Sequence, residues 1–128
     1  MGDCKEAIEQ SINVVAVKAL TEIGEQTGFD YLKSFGFSTV VDQEVINGQT
    51  FSDIQQATAL GGITHGVYNL EMTAAYASLA NNGTYTKPKS IRRFSIILEI
   101  VLIDNTSETH QVVKASTAGL LTNAMIDV

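Results

Sequence analysis

The residues able to do chemistry are few, and most stand alone. His65 and His110 have no second histidine or cysteine at metal-ligand spacing. Cys4 is the single cysteine, flanked by Asp3, Lys5 and Glu6, so the positive setting that activates a thiolate is offset. The glycines form neither a dinucleotide fingerprint nor a phosphate-binding loop, and the acids are scattered. What remains is Ser11-Ile12-Asn13, which sets a hydroxyl and a carboxamide two positions apart at the junction of two helix-like segments. Taken alone, those three residues read as a helix N-cap, with Ser11 accepting from the free N–H groups of the helix that follows.

The elements that must position them come from the hydrophobic pattern. Residues 3–10 are helix-like, with acids near the start where the helix dipole favours them. Ile12, Val15, Ala16, Ala19, Leu20 and Ile23 make one stripe on a second helix, which Gly24 can close. A shorter helix after Thr27-Gly28 turns Phe29, Leu32 and Phe35 inward, with Gly36 as its left-handed terminator. Residues 38–50 are polar and irregular, with Asn47-Gly48 as a turn. Ser52 or Asp53 can cap a short helix carrying Ile54, Ala57 and Leu60, stopped by Gly61-Gly62. Asn69 can cap the next helix, whose small residues (Ala74, Ala75, Ala77, Ser78, Ala80) suit the centre of the fold, and Asn82-Gly83 ends it. Tyr85 to Pro88 is extended, because proline disfavours helix at the residue before it. Residues 91–104 are β-branched and aromatic and read as strand. A last helix, capped by Ser116 or Thr117, carries Ala118, Leu121 and Met125. The expected fold class is mostly α with a small β element: a helical part over 3–82, an extended part over 84–104 and a C-terminal helix over about 115–127.

Composition bounds the partners. The 128 residues are one domain's worth of chain, and 45% apolar content is enough to bury a core. Lys plus Arg number 8 against 14 for Asp plus Glu, a net charge of −6. Such a surface repels phosphate backbones, so no nucleic-acid partner is expected. No signal peptide is evident, and the longest apolar run, 96–103, is broken by Glu99 and too short to span a bilayer. A soluble chain is expected.

The order of three stretches carries more than any single motif. EAIEQSINVVAVKALTEIG, then TGFDYLKSFGF, then ALGGITHGVYNLEMTAAYASLANNGTYTKP together resemble the transpeptidase domain of the class A penicillin-binding proteins, and KASTAGLLTNAMIDV resumes the resemblance. That family assembles its site from S-x-x-K with the nucleophile, S-x-N, and K-T-G; Ser11-Ile12-Asn13 matches the second. The resemblance implies an antiparallel sheet flanked by helices, with S-x-N in the helical subdomain of a penicillin-binding protein and serine β-lactamase-like fold. It implies Ser11 as a proton relay toward the leaving amine and Asn13 as the amide that holds the substrate's peptide backbone. Peptidoglycan stem peptides and β-lactams are the implied partners of the parent protein. The implied place of work is the outer face of the bacterial cytoplasmic membrane, with no metal or organic cofactor.

The departures are equally specific. No serine has a lysine three residues on; Thr84 before Lys87 is the nearest pattern, inside a block the family has for other reasons. No Lys-Thr-Gly or Lys-Ser-Gly occurs. The chain is therefore expected to be one partial transpeptidase domain, residues 1–128, with no nucleophile of its own, inactive without the flanking segments that carry the other two motifs. Phe94–Ile103 lacks the polar turn that family members place there, so it is expected either to pair with another chain, giving a homodimer through 91–104, or to fold into a hairpin with an unexpected turn. Two other readings stay open: a non-catalytic binding or dimerising module, and a helical structural domain with only ancestral likeness.

Overall fold

A computed structural model describes residues 4–91, 93–95, 101–126 and 128. Helices α1 (Cys4–Glu9), α2 (Asn13–Ile23) and α3 (Glu25–Ser34) open the chain. A β1–β2 hairpin (Glu44–Ile46, Gln49–Phe51) and a 3-10 helix (Gln56–Leu60) follow, then α4 (Asn69–Ala80). The remainder is β3 (Thr84–Thr86), β4 (Arg93–Ser95), β5 (Val101–Asp104), β6 (Thr109–Gln111) and α5 (Ala115–Ala124). The strands form three two-stranded antiparallel pairs, β1–β2, β3–β6 and β4–β5.

The core lies where α3 and α4 meet the segments between them. Phe29, Phe37, Val40 and Ala75 are buried together, and Leu32, Phe35, Ile54, Ile63 and Val67 pack around them. The inward set expected for α3 is therefore in place, although the helix begins at Glu25, ahead of Thr27-Gly28. Ala74, Ala75 and Ser78 make one buried face of α4, while Tyr76 and Ala77 on the other side are exposed, so α4 is covered on one face rather than all round.

Three helix ends share one device. After α3 the Gly36 N–H donates to the Lys33 carbonyl and the Phe37 N–H to Leu32, with Gly36 at φ +87°. After the 3-10 helix, Gly61 (φ +82°) and the Gly62 N–H close on Thr58 and Ala57 in the same way. After α4, Asn82 stands at φ +52° and the Gly83 N–H reaches the Ser78 carbonyl. These are left-handed closures, for which Gly and Asn are suited. The expected side-chain caps at Ser52 or Asp53, Asn69, and Ser116 or Thr117 are not made. The N-cap positions are Gln55, Tyr68 and Lys114, and none carries a side-chain cap bond.

Two strand pairs correct the expectation of irregular or single-stranded chain. Residues 44–51 form a hairpin, with Ile46 opposite Gln49. Asn47 at φ +51° and Gly48 at φ +81° close it. Two successive positive φ values are what a two-residue type I′ turn requires. β6 pairs with β3, Thr84 opposite Gln111 and Tyr85 opposite His110, and the Lys87 N–H extends the ladder to the Glu108 carbonyl. β4 pairs antiparallel with β5, Phe94 opposite Ile103, with a register shift between Phe94 and Ser95. Residues 96–100, on which part of the expected strand falls, lie outside the described residues, as do the ends of the expected helices at Asp3 and Asp127.

Candidate functional site around Ser11 and Asn13

The α1–α2 junction is a fourth left-handed closure, and it is built differently. The Ser11 N–H donates to the Ile8 carbonyl (3.1 Å) and the Ile12 N–H to Ala7 (2.9 Å), the same bond pattern as at Gly36 and Gly61. Here the left-handed residue is a serine, Ser11, at φ +50°. An L-residue with a Cβ pays about 1–2 kcal/mol in that region, and such outliers are concentrated where a side chain has to be presented for function. Ile12 is then extended (φ −76°, ψ 99°) and its carbonyl accepts from Val15 and Ala16, starting α2 at Asn13.

This geometry overturns the N-cap reading of Ser11. The N-cap position belongs to Ile12, and α2 has no side-chain cap bond. Ser11 and Asn13 are both exposed, and neither side chain has a hydrogen-bond partner among the described residues. The two polar groups flank Ile12 on the wall of a cavity of about 440 Å³, lined also by Cys4, Ala7 and Leu60. Apart from Cys4, Ser11 and Asn13, that wall is apolar. An uncommitted hydroxyl and an uncommitted carboxamide thus stand at the edge of an apolar surface, the usual composition of a ligand site. No histidine, lysine or carboxylate bonds the Ser11 hydroxyl among the described residues.

The 3-10 helix, whose Leu60 lines the same cavity, also braces α2. The Gln56 side chain donates to Thr21 Oγ1 at 3.2 Å, and Thr21 in turn donates to the Val17 carbonyl. That brace is held by Asp53, which is 1% exposed. Its carboxylate accepts from the Val41 N–H (2.8 Å), the Thr64 N–H (2.8 Å) and the Thr64 hydroxyl (2.7 Å), and its carbonyl accepts from the Thr58 hydroxyl. Burial pushes the Asp53 carboxyl up, but these hydrogen bonds and the neighbouring His65 outweigh it and hold the group below the usual aspartate value. In the sequence Asp53 is visible only as a cap; its partners lie 11 and 12 residues away along the chain, beyond any local pattern.

Both histidines are committed elsewhere. His65 Nε2 meets Glu44 Oε2 at 2.5 Å, tying the β1–β2 hairpin to the loop after the 3-10 helix. His110 Nε2 donates to the Ser34 carbonyl at 2.8 Å, and its ring lies 5.3 Å from that of Tyr85. Burial, with the Glu71 charge adding to it, pushes the Tyr85 phenol above its ordinary value. Among the described residues, no three His, Cys, Asp or Glu side chains converge as metal ligands, and no helix is long and apolar enough to cross a membrane.

Comparison with known proteins agrees with the resemblance in the sequence. The family model described as penicillin binding protein transpeptidase domain matches residues 1–128. Penicillin-binding protein 4 of Bacillus subtilis (strain 168) is 36% identical over 87 residues, 68% of this chain and 12% of that protein. Penicillin-binding protein 1F of the same organism is 41% identical over 83 residues, 65% of this chain and 10% of that protein. Penicillin-binding protein 1A of Clostridium acetobutylicum is 32% identical over 117 residues, 91% of this chain and 13% of that protein. The chain thus spans only about an eighth of the length of these relatives, and within that span it belongs to the transpeptidase-domain family of the penicillin-binding proteins.

Proposed function

We propose that this chain supplies one wall of a D,D-transpeptidase site that cross-links peptidoglycan stem peptides and is acylated by β-lactams. Ser11 acts as the hydroxyl relay between the nucleophile and the leaving amine, and Asn13 as the amide that holds the substrate's peptide backbone. The observation that carries this reading is the left-handed Ser11. At the other three closures of this kind the residue is Gly36, Gly61 or Asn82, whereas here a strained serine leaves its hydroxyl beside the free amide of Asn13. The nucleophile and the lysine of the third motif come from segments flanking these residues, and the parent protein works at the outer face of the bacterial cytoplasmic membrane.

Two measurements test the assignment. A polypeptide of these 128 residues, incubated with benzylpenicillin, should show no penicilloyl adduct in its intact mass; a stoichiometric adduct would overturn the reading. In a complete domain, Ser11→Ala should slow acylation by about a hundredfold, the usual scale of a positioned proton-transfer group, and Asn13→Ala by about tenfold, the scale of a lost hydrogen bond to bound substrate, while both leave the denaturation midpoint in place. Unfolding in place of slowed acylation would return both residues to a structural role.

An alternative reading, a dimerising module acting through 91–104, draws on the β4–β5 pair, whose outer edges have no strand partner among the described residues. Sedimentation equilibrium separates the two. A concentration-dependent dimer lost on placing proline in β5 favours the module, and a monomer favours the catalytic wall.

A further inference from the structure

The chain contains two Asn-Gly dipeptides, Asn47-Gly48 and Asn82-Gly83, and the fold treats them in opposite ways. We propose that Asn47 is a site of spontaneous covalent modification, deamidation through a succinimide, and that Asn82 is protected from the same reaction.

The chemistry needs only the chain and water. The backbone nitrogen of the following residue attacks the asparagine side-chain Cγ and loses its proton, and ammonia departs with the side-chain nitrogen. Water then opens the ring at either carbonyl, giving aspartate or its β-linked isomer. Glycine in the next position is favourable because no Cβ hinders its nitrogen. The rate is then set by how freely that nitrogen can swing toward the side chain.

At Asn47 little restrains it. The dipeptide is the exposed tip of a hairpin with three residue pairs, and β2 is exposed throughout. Nothing lies within 4 Å of where a Cβ on Gly48 would stand, and the Gly48 N–H has no hydrogen-bond partner among the described residues. A two-stranded hairpin of this size is marginal by itself, so the turn opens locally without global unfolding.

At Asn82 the attacking group is fastened. Gly83 is buried, and its N–H donates to the Ser78 carbonyl at 2.8 Å. Its carbonyl accepts from both Val112 and Val113, and a Cβ there would strike the Val113 carbonyl. Freeing the Gly83 nitrogen means breaking the closure at the end of α4 while Val112 and Val113 hold the same residue's carbonyl. The same two residues are therefore reactive in one place and inert in the other.

Consequences differ between the products. Aspartate keeps the backbone and adds a negative charge three residues from Glu44. The β-linked isomer adds a backbone atom inside a two-residue turn, which breaks the pairing of Ile46 with Gln49 and slackens the Glu44–His65 tie.

The test is incubation of the full chain at mildly alkaline pH, followed by peptide mapping and enzymatic methylation of β-linked aspartate, in buffer and in denaturant. In buffer, product at Asn47 should exceed product at Asn82 by about tenfold or more, as a modest difference in local opening would give. In denaturant the two rates should converge. Equal rates in buffer, or a preference for Asn47 that survives denaturation, would overturn the proposal. Gly48→Ala should slow the reaction at Asn47 without changing that at Asn82.

Discussion

Replacing Ser11 with glycine should stabilise the chain while removing the hydroxyl that the proposed mechanism needs. Ser11 sits at φ +50°. In that region a Cβ costs about 1–2 kcal/mol relative to glycine. Glycine gives back about 0.5–1 kcal/mol through the greater freedom of its unfolded chain. The net expectation is a gain of about 0.5–1 kcal/mol, or about 2–5 °C in Tm for a domain of this size. Ser11→Ala keeps the strain and deletes a hydroxyl with no partner among the described residues. Its effect should fall within about 0.5 kcal/mol of zero. The N-cap reading instead makes the natural serine the most stable of the three: alanine would cost about 1 kcal/mol and glycine a few tenths. Urea titrations of the three proteins, with a common m-value, decide between these orders. A glycine variant less stable than the natural chain, or an alanine variant weakened by about 1 kcal/mol, would refute the argument from the left-handed closure.

Other expectations follow from the same geometry. Asp53→Asn should destabilise by about 2 kcal/mol, the scale of leaving a buried donor unmatched. An amide cannot accept from Val41 and Thr64 with both of its heavy atoms, so one backbone N–H loses its partner. The folded-state pKa of Asp53 is lowered, so its contribution is present above the unfolded value near 3.8 and is lost as pH falls through the folded value. Acid titration of stability should show that limb in the natural chain and a smaller one in Asp53→Asn. At Gly83 the backbone stands at φ +80° and an added Cβ would clash with the Val113 carbonyl. Gly83→Ala should therefore cost more than about 1 kcal/mol, whereas Gly48→Ala should carry only the conformational part. His65→Ala should change stability by less than about 1 kcal/mol, the ceiling for a half-exposed pair such as His65 with Glu44. Thermal melts check these last three.

What is legible in the sequence depends on whether its cause is local. Gly36, Gly61 and Asn82-Gly83 end helices by their own backbone freedom, so each can be read without knowing its neighbours. The stripe from Ile12 to Ile23 is legible because one face of one helix is a local periodicity. That Ile12 and Ile23 remain 41% and 56% exposed is not, because covering them is a matter of what packs against α2. Asn47-Gly48 announces a turn, but three-residue strands are too short for alternation to mark, and β6 (Thr109–Gln111) is polar and made a strand by its partner β3. Asp53 illustrates the same limit at a buried charge: its type suggests a cap, and its role comes from groups at 41 and 64.

The candidate site combines both kinds of cause. The residue types of Ser11-Ile12-Asn13 are compatible with a cap, and in the sequence only the surrounding family pattern separates the two readings. In three dimensions the separation is physical, because α1 has already closed on Ile8 and Ala7 before α2 begins. That closure takes the N-cap position away from Ser11 and hands it to Ile12, whose side chain cannot cap. A helix start without a side-chain cap is weaker by about 1 kcal/mol, and a left-handed serine adds to the cost. Uncapped starts are shared by α3, α4 and α5, so what sets this junction apart is the left-handed serine, in a chain whose other left-handed closures use Gly or Asn, and the proposal that it presents a hydroxyl and an amide rests on that residue.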